Sequence, residues 1–286
     1  IRNLGRILGD MSKMSVSIDR LREILNAKEE TEDPNGLTPD MHGDIVFDNV
    51  SFGYEGTPEL LHNVSFTVPA GKTVGILGGT GSGKSTVVNL LPRLYDVSEG
   101  AVFLDGKDVR SYPLKELRKK VGSALQRPAI FKGTIRSNVL PLGEADEERL
   151  SSAVDTAQAR DVVNAKENGY DSVLEQNGRN LSGGQKQRIS VARAIAKRPE
   201  VLILDDSSSA LDNITDLKLR RAIKSLDYPV TTFIVSQRAS SVLGADKIIV
   251  MDEGEIVGTG TADELRKTCA VFREIEDSQS SSEARK

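Results

Sequence analysis

An α/β fold is predicted for this 286-residue chain: a parallel-sheet core, an antiparallel β subdomain and an inserted α-helical subdomain. Three observations carry that expectation. Apolar runs of strand length alternate with helical stretches, which is the arrangement of a parallel sheet joined by right-handed crossovers. One of these runs, residues 73–77, opens directly into a glycine-rich loop and then a helix start. Two stretches of period-two alternation precede that run, and a mostly helical block, residues 127 to about 196, separates it from the later strands.

With 38% apolar and 28% charged residues, the chain has the composition of an ordinary globular protein with a sizeable core. Its formal net charge of −4 argues against a nucleic-acid partner, because such binding needs a basic face that releases counterions. Cys269 is the single cysteine, so no internal disulfide is possible, and it reads as a small buried residue. No run of about 18 apolar residues is present to cross a bilayer, and the N-terminus lacks a secretory signal pattern.

Residues 1–26 place Ile1, Leu4, Ile7, Leu8, Met11, Met14, Ile18, Leu21, Ile24 and Leu25 mostly three or four apart, which predicts an amphipathic helix. It begins without a cap or an initiator methionine, as a piece of a longer helix would. The charged stretch 27–36, ending in Pro34-Asn35-Gly36, reads as a linker. From Asp44 the period changes to two: Ile45, Phe47, Val50 and Phe52 mark one strand, and residues 64–68 mark its antiparallel neighbour. Tyr54 falls in the turn between them, where its ring can stack on a flat base.

The residues with the clearest chemistry are Gly78-Gly79-Thr80-Gly81-Ser82-Gly83-Lys84-Ser85-Thr86. Their spacing wraps successive backbone N–H groups around phosphate oxygens, with a helix dipole behind them and a lysine reaching the terminal phosphates. Ser85 is placed to offer its hydroxyl to Mg²⁺. Downstream, residues 101–104 read as a strand, 113–118 as a helix, and 121–125 as a strand that delivers Gln126 into a loop, where its amide can meet a metal-bound water. Helices are expected at 147–158, at 161–167 and from Ser182 to Ala196. The strand 201–205 ends in Asp205, the usual partner of a phosphate loop in holding Mg²⁺ through water, and Asp206 follows directly. Asp205 comes 121 residues after Lys84, which implies a whole inserted subdomain between the halves of the site. Strands at 231–235 and 247–251, with a helix near 239–243 between them, complete the core, and the serine-rich end, 277–286, reads as a disordered tail.

Leu181-Ser182-Gly183-Gly184-Gln185, followed by Lys186-Gln187-Arg188, starts the long helix. Ser182 is a good N-cap, and two glycines at a helix start leave its N–H groups open to close approach by another molecule. With these residues, the sequence resembles the nucleotide-binding domain of ATP-binding cassette (ABC) transporters over about residues 44–275. The resemblance implies a P-loop NTPase core of the RecA-like kind. It also implies head-to-tail pairing of two such domains, with MgATP held between the phosphate loop of one and the Ser182–Gln185 signature of the other. In that scheme Tyr54 stacks on adenine, and residues 78–86 hold the phosphates. Gln126 senses Mg²⁺ and relays to the membrane domain, Asp205 serves the metal, and Ser209-Ala210-Leu211-Asp212 cross the interface. The N-terminal helix is similar to the cytosolic end of the last transmembrane helix of exporters. This gives an expected division into residues 1–40 (helix extension and linker), 41–276 (nucleotide-binding domain) and 277–286. It also places the chain on the cytoplasmic face of a membrane, attached to its own transmembrane domain.

Two positions depart from the family pattern, and both belong to the hydrolytic apparatus. Asp206 stands where the family has the glutamate that polarises the attacking water, and it is one methylene shorter. Gln237 stands where the family has a histidine contacting the γ-phosphate; it can donate a hydrogen bond but cannot carry an imidazolium charge. The resemblance is therefore to the degenerate-site subunit of a heterodimeric exporter, with a partner that carries the glutamate and histidine. A non-transport ABC clamp on nucleic acid or the ribosome, and a regulatory ATP-binding module without turnover, are alternative readings of the same motifs. The net acidity and the N-terminal helix point away from the clamp.

Overall fold

The computed structural model describes residues 2–27, 30, 36, 41–140 and 146–283. Most of the expected linker and the last three residues lie outside the described residues. Two compact units result, Ile1–Asp33 and Pro34–Lys286. The first is the predicted helix, α1 (Arg2–Leu25), whose Met11, Met14, Ile18, Leu21 and Ile24 side chains are exposed.

The second unit begins with β1 (Ile45–Phe52), β2 (Leu61–Val68), β3 (Thr73–Gly78), α2 (Lys84–Leu90), β4 (Glu99–Leu104) and β5 (Lys107–Asp108). Strands β2, β1, β4 and β5 form, in that order, the predicted antiparallel sheet. Next come α3 (Leu114–Lys120), β6 (Val121–Ala124), β7 (Gly133–Thr134), α4 (Ile135–Val139), α5 (Glu147–Thr156), α6 (Arg160–Asn164), β8 (Val173–Leu174) and α7 (Gly183–Ala196). The inserted block is therefore helical apart from β7 and β8, which pair as a two-residue ladder too short to read from sequence. The chain finishes with β9 (Val201–Asp205), α8 (Asn213–Lys224), β10 (Thr231–Ser236), α9 (Ala239–Val242), β11 (Lys247–Asp252), β12 (Glu255–Gly260), α10 (Ala262–Thr268) and α11 (Ala270–Glu283).

The central sheet has the order β12-β11-β3-β10-β9-β6, parallel except for the edge strand β12, which runs antiparallel to β11. Its parallel strands are buried and mostly apolar because both faces are covered. Alternate residues go to different cores. Val74, Ile76, Val201, Ile203, Phe233, Val235, Ile249 and Met251 face the antiparallel sheet and α2. Leu77, Leu202, Leu204, Ile234, Ile248 and Val250 face the helices of the other side. Cys269 is buried there, as read from the sequence.

The end of the chain differs from the expected disordered tail: residues 277–283 continue α11. Phe272 is fully buried, and Ile275 packs against the same core from the same helix face. Arg266 of α10 pairs with Glu276 at 2.7 Å. The docked turn carries the polar end with it, which composition alone does not reveal.

Candidate nucleotide-binding site

The site is assembled at the carboxyl ends of four parallel strands, where open α/β sheets place their ligands. The loop after β3 supplies residues 79–83. The loop after β6 supplies Gln126. Strand β9 ends in Asp205, with Asp206 next, and β10 is followed by Gln237. Thr80, Gly81, Gly83, Lys84, Ser85, Thr86, Gln126, Asp205, Asp206 and Gln237 line one cleft of about 220 Å³. The predicted phosphate, metal and hydrolytic positions are thus brought together, and Leu60 and Ser236 join them.

The glycines of the loop are required for different reasons. A Cβ on Gly78 would lie 2.2 Å from the Met251 carbonyl oxygen, so β3 can pass β11 only as bare backbone. Gly83 has φ +91°, and a Cβ there would lie 2.5 Å from Leu61 Cδ2. Gly79 and Gly81 have no such neighbours, and they leave the cleft side of the loop open to a phosphate.

Lys84 is 7% exposed; its Nζ donates to the Gly79 carbonyl and, at 3.1 Å, to Ser82 Oγ. Burial holds its ammonium below the ordinary lysine range, with Asp205 and Asp206 pulling in the opposite direction. Asp205 is 5% exposed and accepts from Ser85 Oγ at 2.9 Å. Burial pushes its carboxyl up; the Ser85 hydrogen bond and Lys84 oppose the shift, and Asp206 adds to it. A desolvated cation and a desolvated anion therefore face the same cleft, each held at a cost that a ligand carrying phosphate and a divalent ion would relieve. Among the described residues no group of three or more His, Cys, Asp or Glu could hold a metal alone. One carboxylate and one hydroxyl suit Mg²⁺, which takes the rest of its ligands from substrate phosphates and water.

Asp206 has φ +44°, a left-handed conformation that Asp tolerates better than longer side chains. Its Oδ2 accepts from Gln126 Nε2 at 3.2 Å. Gln237 reaches the loop from the other side, with its Oε1 accepting from Thr80 Oγ1 at 3.1 Å. Tyr54 stands at the flank: its hydroxyl is 3.2 Å from Thr86 Oγ1, and its ring meets Phe52 and Tyr95 edge-on, with centroids 4.9 and 5.1 Å away. Sequence reasoning did not single out Tyr95, an exposed aromatic that orients the Tyr54 ring.

Ser182–Gln185 are not among the residues lining this cleft. Ser182 caps α7 in a reciprocal box: its N–H donates to Gln185 Oε1 at 2.9 Å, and Gln185 N–H donates to Ser182 Oγ at 3.3 Å. The two glycines separate in role. A Cβ on Gly184 would lie 2.8 Å from the Ala210 carbonyl oxygen, so internal packing accounts for it. A Cβ on Gly183 would have no neighbour closer than 3.9 Å, so packing within the described residues does not account for it.

The family model described as ABC transporter matches residues 61–209. The chain belongs to the ABC transporter family. This family binds ATP, normally with Mg²⁺, and is one of ATPases. The ABC chain is 41% identical to the putative multidrug export ATP-binding/permease protein YgaD of Bacillus subtilis, over 93% of its own length and 46% of that protein. It is 35% identical to the ATP-dependent lipid A-core flippase of Haemophilus ducreyi, over 96% of its length and 48% of the flippase. The solved structure of a bacterial Atm1-family ABC exporter with ATP bound superposes with a TM-score of 0.85 at 31% identity, covering 97% of this chain and 49% of that one. The ABC chain thus spans about half the length of these relatives, and no helix among its described residues is long and apolar enough to cross a membrane.

Proposed function

We propose that this chain is the ATP-binding domain of an exporter half-transporter, with a slow site of its own and a signature segment that completes a partner's site. The observation carrying this reading is the contrast within one cleft. The cradle of residues 78–86 and the Ser85–Asp205 pair are intact, while both hydrolytic positions hold substitutes, Asp206 and Gln237. Tyr54 takes the adenine, Lys84 and the loop amides take the phosphates, and Ser85, Asp205 and Gln126 hold the metal. Mg²⁺, when bound, neutralises charge on the phosphate oxygens being transferred.

Asp206 is tethered to Gln126 on a short side chain, and a reach deficit of about 1 Å at a catalytic group costs ~10²-fold in rate. Gln237 offers an amide where a cation would stabilise the departing phosphoryl charge. ATP is therefore bound and held, and its turnover is slow. Gly183, bare and unused within the chain, supports a role for the signature in trans. The relatives named above carry permease, export or flippase in their names, which favours export over a clamp on nucleic acid. By analogy with them, the chain works at the cytoplasmic face of a membrane, joined to a transmembrane domain and paired with a second nucleotide-binding domain bearing glutamate and histidine.

In the reconstituted transporter, Asp206→Glu with Gln237→His is expected to raise hydrolysis at this chain's own site by about 10- to 100-fold. An unchanged single-turnover rate would sink the slow-site reading.

A further inference from the structure

The segment that carries Gln237 is held from a distant part of the chain. Gln279, near the end of α11, donates from Nε2 to the Gln237 carbonyl oxygen at 2.7 Å. Its Oε1 accepts from the Ala239 N–H at 2.9 Å. One carboxamide thus engages the backbone on both sides of Arg238, as a neighbouring strand would. Arg238, the residue at the cap position of α9, makes no side-chain capping bond, and its own N–H is taken by Ser236 Oγ at 2.9 Å. The first N–H of α9 is satisfied from 40 residues away.

We propose that Gln279 is a positioning residue for Gln237, fixing the backbone so that the Gln237 side chain lies against the phosphate loop. This inference rests on the nucleotide-site reading above. A two-point hold is what the geometry needs: a single hydrogen bond would leave the peptide free to turn about it, whereas a donor and an acceptor in one plane do not. Gln279 is itself fixed, because it follows Phe272 and Ile275 at i+7 and i+4 on the docked face of α11. With the backbone carbonyl of Gln237 engaged by α11, its side chain is directed to the cleft, where Oε1 meets Thr80 and the amide nitrogen remains to contact a terminal phosphate. Gln279 does not line the cleft and acts on it through Gln237. The C-terminal helix, rather than the sheet alone, then sets how strongly the site distinguishes ATP from ADP.

The test is the affinity of the full-length protein for MgATP and for MgADP, measured by calorimetric titration for the unaltered chain, Gln279→Ala and Gln279→Glu. Gln279→Glu keeps the acceptor for Ala239 but sets an anionic oxygen against the Gln237 carbonyl, and it leaves the docked face of α11 intact. In both variants the preference for MgATP over MgADP is expected to fall about fivefold to tenfold, while MgADP affinity stays within about twofold. Hydrogen exchange at Ala239 is expected to accelerate in Gln279→Ala and not in Gln279→Glu. A parallel loss for both nucleotides would reduce Gln279 to a structural residue and overturn the proposal, as would an unchanged preference in both variants. If the unaltered protein bound neither nucleotide, the site reading itself would fall. That outcome is distinct from one in which both bind and Gln279 proves irrelevant.

Discussion

Asp205 is 5% exposed, and burial pushes its carboxyl above the ordinary carboxylate range even though Ser85 Oγ donates to it. The sign of the consequence follows from linkage. A folded-state carboxyl that holds its proton more tightly than the unfolded one lowers stability as pH rises from its usual value of 3.8 through the raised one, and at neutral pH the whole cost is present. Asp205→Asn is therefore expected to raise the Tm of the ligand-free chain at pH 7, to lose that advantage below the ordinary carboxylate range, and to abolish the Tm gain produced by MgATP. A calorimetric scan at the two pH values checks all three, and a lower Tm at pH 7 would contradict the sign. At this scale the sequence was legible wherever spacing alone dictates backbone: residues 78–86 fall where the motif puts them. Gln279 was not legible, because a glutamine in a serine-rich end has no local signature. Only its offset of seven from Phe272 would have flagged it.

Helix α8 joins two loops of the site through buried polar groups. Ser208 Oγ, in the loop after Asp206, donates to Asp216 Oδ1 at 2.5 Å. Arg220 pairs with Asp216 Oδ2 at 2.8 Å, and its other amino group donates to the Ser241 carbonyl of α9 at 2.9 Å. Asp216 is 6% exposed and Arg220 is part-buried, so Asp216→Leu would leave the guanidinium on backbone carbonyls without its carboxylate, at a cost of about 1–3 kcal/mol. Urea unfolding is expected to show that loss, and the double change Asp216→Leu with Arg220→Met to recover most of it. The sequence did not predict α8, because Ile214 and Leu217 face outward while Leu219 and Ile223 face inward, which blurs the apolar stripe. Strand β12 was hidden by Gly258 and Gly260; a Cβ on Gly258 would meet Cys269 Sγ at 2.8 Å, so the glycine records an approaching helix rather than a turn. Long apolar strands were readable because both their faces are buried. Half-exposed edges and two-residue ladders were not.

At the scale of the molecule, strand order could not come from the sequence: β3 lies between β10 and β11, which are more than 150 residues later in the chain. The contrast between Gly183 and Gly184 is a prediction about assembly. Gly184→Ala is expected to lower stability by about 1–3 kcal/mol through its clash with the Ala210 carbonyl. Gly183→Arg should leave Tm nearly unchanged yet prevent MgATP-dependent association with a partner domain, as read by light scattering. Association that survives Gly183→Arg would remove the signature from the interface. The two sheets and the phosphate loop converge where Gly78 passes Met251, Gly83 passes Leu61, and Gly254, at φ +83°, lies so near the Leu60 carbonyl that a Cβ would be 2.0 Å from it. At Gly78 and Gly254 main chain rests on main chain, and at Gly83 it rests on the Leu61 side chain. Substitution at these glycines therefore cannot loosen the phosphate cradle by small steps, whereas Asp206 and Gln237 reach the cleft through side chains.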